Sequence, residues 1–343
     1  MKNSTLYLVT GVAGNLGSSV AARLLEEGKS VRGLVLKGDP AATRIPDDVE
    51  ICIGDVCEKT SIERFFQVPQ DTAIVVIHCA AVVTVNPDYN QKVYDVNVTG
   101  TKNILDACVT HQAKKLVYVS SIGAIPELPH GTPITEVDSF DPNQVVGFYG
   151  KTKAEASQAV LDAVHNHGLD ASIVFPSGIC GPDDYAFGPV SSFLMDYCAG
   201  KLPSGVEGSF NAVDVRDLAD AIVSCVEHGR RGEGYILANE CVSMQKMFHL
   251  LANLTNTKEI TMILPAGLAK FVAKVSDISA KITHKKPLMT SFAVYNLVRN
   301  NVFDCRKAET ELGFQTRPFE DSLADSLAWL EREKKIDLAN CVA

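Results

Sequence analysis

The eight residues Thr10-Gly11-Val12-Ala13-Gly14-Asn15-Leu16-Gly17 limit what this chain can fold into more than any other segment. They follow an apolar run, Leu6-Tyr7-Leu8-Val9, and open a helix-periodic stretch from Asn15 to Glu27 that stops at Gly28. Strand, glycine turn and helix in that order give each glycine a physical job. One permits the tight turn, one lets the backbone approach a pyrophosphate, and one lets the helix lie close to the strand. The first turn of the helix has free N–H groups and a dipole that favours negative charge. The segment reads as a dinucleotide-phosphate loop, with Gly11, Gly14, Asn15, Leu16 and Gly17 as its contact residues.

The alternation continues. Val31 to Leu36, Glu50 to Ile53, Ile74 to Ile77, Lys115 to Val119 and Ala171 to Phe175 read as strands. Tyr89 to His111 and Val145 to Asn166 read as long helices between them. Parallel strands joined by crossover helices are expected, hence an α/β fold with a doubly wound parallel sheet. After Pro176 the regularity breaks; Arg216 to His228 reads as a helix and Gly234 to Ala238 as a late strand. The expected division is a dinucleotide-binding Rossmann-type domain over 1–177, rejoined by 209–240, and a smaller substrate lobe over 178–208 and 241–343. Open α/β sheets take ligands at the carboxyl edge, so the lobe belongs over that edge.

Composition narrows the partners. The 343 residues carry a net charge of -9, and no Lys/Arg run exceeds two. A nucleic-acid partner is not expected, because such partners are met by a basic face. No apolar run approaches the ~20 residues that span a bilayer, so no membrane partner is expected either. Ten cysteines lie at scattered spacings with no C-x-x-C, and a strand-like segment starts almost at the first residue. Reduced thiols, no signal peptide and a cytoplasmic location follow as expectations, with no metal site. His165 and His167, at a helix end, are assigned no chemistry.

Tyr149-Gly150-Lys151-Thr152-Lys153 places a phenol and an ammonium four residues apart on one helix face. Proton transfer at a carbonyl or alcohol oxygen suits that pair, since a nearby ammonium favours the phenolate and lowers the phenol pKa. The fifth strand runs into Ser120-Ser121 at the expected carboxyl edge. Ser121 is the candidate that holds the substrate oxygen against Tyr149; Ser120 is the alternative.

Further motifs are Gly54-Asp55-Val56, His78-Cys79-Ala80-Ala81, Asn97-Val98-Thr99-Gly100-Thr101, Phe175-Pro176-Ser177-Gly178 and Val213 to Ala219. With the Gly11/Gly14/Gly17 spacing they resemble the extended branch of the short-chain dehydrogenase/reductase family, the NAD-dependent epimerase/dehydratase group. The whole pattern is similar to its dihydroflavonol 4-reductase-like reductases. The resemblance implies that Ser121, Tyr149 and Lys153 are the catalytic set, and that Lys153 also reaches the nicotinamide ribose. It implies cofactor contacts at Asp55, Val56, Ala80, Ala81, Asn97, Tyr149, Lys153, Pro176 and Ser177. The second strand ends without an acid, at Val35-Leu36-Lys37, so NADP is preferred over NAD, with Lys37 and Arg32 as candidate cations; Asp39 keeps NAD open.

The expected substrate is a small, mostly apolar ketone or aldehyde, touched by Ser121, Tyr149, Tyr185, Phe187 and Phe193. Leu268, Phe271, Val272 and Val275 form a helical stripe suited to a core or to the wall of such a pocket. A sugar-nucleotide epimerase is the alternative, with Arg299 in a partial match to the diphosphate stretch. A catalytically silent cofactor-binding regulator is a further alternative. A homodimer through the two long helices is plausible for this family.

Overall fold

The computed structural model describes residues 4–283 and 290–341. Twelve strands run β1 (5–10), β2 (30–35), β3 (50–53), β4 (73–78), β5 (115–119), β6 (171–176), β7 (178–180), β8 (205–206), β9 (209–214), β10 (234–237), β11 (241–243) and β12 (263–264) among the described residues. The α-helices there are α1 (15–26), α2 (59–66), α3 (91–94), α4 (101–110), α5 (148–167), α6 (189–198), α7 (215–228), α8 (244–255), α9 (266–283), α10 (291–298), α11 (306–312) and α12 (319–332). Between α3 and α4 the turn Asp95–Gly100 winds as a π-helix.

Seven strands form one sheet in the order β10-β6-β5-β4-β1-β2-β3, every pairing parallel. This is the doubly wound sheet the alternation implied. Successive side chains on a strand point to opposite faces. Leu6 and Leu8, Ile74 and Val76, and Leu116 and Tyr118 therefore join one core with Phe65, Ile104 and Val160 of α2, α4 and α5. Tyr7 and Val9, Val75 and Ile77, and Val117 and Val119 join a second core with Val20, Leu218, Ile222 and Ala308 of α1, α7 and α11. Helices on both faces explain why these strands read as near-continuous apolar runs. The short helix α2 has eight residues and buries Ile62, Phe65 and Phe66 on one face, a periodic signal that the sequence reading leaves out.

A three-stranded sheet, β11-β9-β7, packs with α6, α8 and α12 around Tyr197, Phe248, Phe319 and Trp329. The stripe on α9 corrects a sequence-based expectation. Leu268, Phe271, Val272 and Val275 are exposed, and the buried contact is made by Ala269 and Ala273 against Val206 and Val294. Periodicity finds a helix face but not which side of it the protein covers. Here small residues allowed the closer approach. Among the described residues no helix is long and apolar enough to cross a membrane.

Candidate active site

The glycine loop is limited by space. Gly11 has φ +68°, and a Cβ on it would fall 2.8 Å from the Ala80 nitrogen. A Cβ on Gly17 would fall 2.7 Å from the Gly11 carbonyl carbon and collide with its oxygen. That oxygen accepts the Gly14 N–H at 3.0 Å, which closes the turn. Leu16 sits in the core with Val12 and Val20, so only its backbone is left to face a ligand. Asn15 Oδ1 is buried with no partner.

Beneath the loop lies an oriented polar chain. The Thr10 hydroxyl meets His78 Nδ1 at 2.6 Å, and His78 Nε2 meets the Thr101 hydroxyl at 3.0 Å. Thr101 donates to the Asn97 carbonyl at 2.7 Å, so its oxygen is left to accept from His78 Nε2–H, and Nδ1 accepts from Thr10. Thr10 Oγ1 also accepts the Ala80 N–H at 3.2 Å. Burial first, then the Lys153 charge, pushes the His78 imidazole down to about 3. It is a neutral strut that ties β1 and β4 to α4, and nothing in the sequence distinguished it from a packing residue.

Asn97 lies in the π-turn. Its Oδ1 accepts the Val82 N–H at 2.8 Å, and its Nδ2 donates to the Val82 carbonyl and to Thr152 Oγ1, both at 3.1 Å. The segment after β4, with Ala80 and Ala81, is thus pinned to α5. Wide turns of this kind are frequent at functional sites, because they re-aim one side chain.

Ser121, Tyr149 and Lys153 are brought together. Ser120 is bonded to the buried Ser157 at 2.7 Å, which leaves Ser121 as the hydroxyl turned to α5. Its Oγ accepts the Gly123 N–H at 3.1 Å and faces the Tyr149 phenol, whose pKa it lowers. The approach depends on Gly150, where a Cβ would fall 2.6 Å from the Gly123 carbonyl oxygen. Burial pushes the Tyr149 phenol up to about 12, with the Ser121 hydroxyl pulling the other way. Lys153 is buried, donates to the Val119 carbonyl at 2.6 Å, and lies 4.6 Å from the Tyr118 ring centre. Burial pushes its ammonium down to about 7. The expected lowering of the phenol pKa by Lys153 is therefore not found; the lysine is itself desolvated, and burial governs both groups.

A stability test isolates Lys153. Its folded pKa, about 7, is below the reference value of 10.5 for the unfolded chain. Between those values the unfolded chain holds more protons at this position, so its contribution to stability rises with pH across that window. Below about pH 7 the cost of the buried charge is fully present. Lys153→Met removes this rise, so denaturant titrations from pH 6 to about pH 9 should show wild type gaining on the variant.

The other cofactor candidates divide. Asp55 caps its own turn by accepting the Cys57 N–H at 2.8 Å, and buried Val56 packs on Gly100. Lys37 is exposed at the end of β2. Pro176 ends β6, and the Ser177 hydroxyl is buried without a partner. Arg32 is turned elsewhere: it donates to the Phe65 and Gln67 carbonyls at 2.9 and 2.7 Å and pairs with Glu50 at 2.9 Å. These contacts withdraw it from the loop. The glycine cradle and the unpaired Asn15 and Ser177 oxygens fit a dinucleotide laid from α1 to β6.

Of the aromatic candidates, Tyr185 lines a cleft shared with Gly14 and Asn15. Tyr185 and Phe187 pack on Trp329 at ring distances of 5.2 and 5.9 Å, and Phe193 packs on Phe248 at 6.2 Å. Two other rings lie on the segment that leads into Tyr149: Phe148, in edge contact with Tyr89 at 5.0 Å, and Phe292 of α10, which rests on Gly147. Val83, Val85 and Val146 are exposed in the same two segments. Phe148 was adjacent to the motif and so was legible; Phe292 lies far away in sequence and was not.

Comparison with known proteins agrees with this geometry. A model of the NAD dependent epimerase/dehydratase family matches residues 7–238. Sterol demethylase protein B of Methylococcus capsulatus is 27% identical over 334 residues, spanning 96% of this chain and 99% of that protein. A Synechocystis sp. protein provisionally named dihydroflavonol 4-reductase is 27% identical over 334 residues, spanning 95% and 94%. The crystal structure of gox2253 superposes with a TM-score of 0.85 at 28% identity, over 98% of this chain and 100% of that one.

Proposed function

This chain belongs to the NAD dependent epimerase/dehydratase family of extended short-chain dehydrogenases/reductases, and we propose that it reduces the carbonyl of a mostly apolar ketone or aldehyde with NADPH. The observation that carries the reading is the gathering of Ser121, Tyr149 and buried Lys153 at the carboxyl end of β5, where Gly150 lets α5 come close to Gly123. Burial keeps the Tyr149 phenol protonated at neutral pH, as the proton donor of a reduction requires.

Gly11, Gly14, Asn15, Leu16 and Gly17 would hold the pyrophosphate. Asp55 and Val56 would hold the adenine end, and Ala80, Ala81, Asn97, Pro176 and Ser177 the nicotinamide end. When bound, the reduced nicotinamide supplies the hydride. Ser121 holds the carbonyl oxygen, Tyr149 gives it a proton, and Lys153 would fix the nicotinamide ribose. NADP is favoured by exposed Lys37 at the end of β2 and by the lack of an acid at Val35 or Leu36. The apolar substrate class is favoured by exposed Val83, Val85 and Val146 and by Phe292 resting on Gly147, two residues before Tyr149.

The epimerase reading keeps one observation, a buried Arg299 Nε without a partner that a diphosphate could meet. One experiment separates the two. The protein should consume NADPH, faster than NADH, with members of an aromatic and alicyclic ketone panel, while uridine diphosphate sugars leave its melting temperature unchanged. A rise in melting temperature with those sugars, and no NADPH consumption across the panel, would reverse the assignment.

A further inference from the structure

The exposed face of α9 has no partner within the described structure. Leu268, Phe271, Val272 and Val275 are 49, 66, 42 and 51% exposed, and Met262 just before the helix is 59% exposed. Their i, i+3, i+4, i+7 spacing makes one continuous stripe. Ala269 and Ala273, on the opposite side, hold the helix to the body through Val206 and Val294. Lys270 and Lys274 are exposed beside the stripe. From Thr261 to Met289 the sequence has five lysines (270, 274, 281, 285 and 286) against one acid, Asp277, in a chain whose net charge is -9. Of these, Lys270 and Lys274 flank the bare apolar face.

We propose that α9 seats this protein on an anionic lipid bilayer surface. A helix with phenylalanine and leucine on one face and lysines beside it lies in the plane of the headgroups, its apolar stripe sunk to the acyl boundary. Each lysine is drawn by the negative surface. A second copy is a poorer occupant, because a two-fold pairing of this face would bring two lysine-rich segments together. Such docking leaves the chain outside the bilayer core, consistent with the lack of any spanning helix among the described residues.

The seat is joined to the candidate site. Helix α9 packs on α10 through Val294, and Phe292 of α10 rests on Gly147, two residues before Tyr149. A bilayer-bound α9 therefore holds the mouth near the phase into which apolar carbonyl compounds partition. The docking itself does not depend on the reduction proposed above.

The test is flotation of the full chain with vesicles of phosphatidylcholine alone and with about 30 mol% phosphatidylserine. The protein should float with the anionic vesicles, far less with the neutral ones, and be released at about 0.5 M salt. Phe271→Ser with Val275→Ser, and separately Lys270→Glu with Lys274→Glu, should each weaken vesicle binding by about tenfold or more. Both variants should keep the wild-type melting temperature, since these side chains are exposed. Three results overturn the proposal: no flotation with either vesicle, flotation undiminished by both pairs of substitutions, or a dimer dissolved by Phe271→Ser in a protein that does not float.

Discussion

Tyr149→Phe lowers kcat for carbonyl reduction by about 10²- to 10⁴-fold and leaves dinucleotide affinity nearly unchanged. The substitution keeps the ring, and with it the packing of α5 beside Gly123. It removes only the hydroxyl that faces Ser121. Because the wild-type phenol is protonated at neutral pH, the lost group is a proton donor and not a charge. The fold and the glycine loop should be indifferent to it. Steady-state kinetics with the best ketone of the panel, beside a fluorescence titration with NADPH, separate the two effects. Turnover equal to wild type would remove Tyr149 from the chemistry.

Gly17→Ala is expected to cost about 1–3 kcal/mol, divided between folding stability and cofactor affinity. The added methyl collides with the Gly11 carbonyl, whose oxygen also closes the turn through Gly14. Neither neighbour is a flexible side chain that can swing aside. Either the helix start moves away from β1, which weakens the core around Val12 and Val20, or the turn opens and its N–H groups lose their aim. The second route weakens dinucleotide binding by about 5- to 150-fold, the same energy expressed as an equilibrium constant. Calorimetric titration and chemical denaturation together account for both routes. A variant that matches wild type in both would show that the crowding is harmless.

What was legible in the sequence was local. The glycine loop, the strand ends at Thr10 and Val119, and the Tyr149–Lys153 spacing each involve residues within a few positions, where steric and helical rules act directly. The failures came from contacts made across the fold. Arg32 lies on a strand whose alternation allowed two directions, and the carbonyls at the end of α2 decided between them. Phe187 and Phe193 had the right composition for a pocket, but Trp329 and Phe248, distant in sequence, took up their rings. The His78 strut and the Gly150 contact with Gly123 need two elements each, so neither left a mark that one segment could carry. Lys153 behaved differently from expectation for an energetic reason: burial desolvates the ammonium itself.

The π-turn at Asp95–Gly100 makes the length of this stretch as consequential as its spelling. Asn97 grips Val82 from inside the turn, while Thr101, just past it, holds His78. One residue fewer would restore ordinary winding and rotate the two halves by about 100° against each other. Either the grip or the strut would then be lost, whatever amino acids remained. Substitutions can therefore accumulate here one at a time, whereas a single-codon deletion would uncouple the floor of the cleft from its wall.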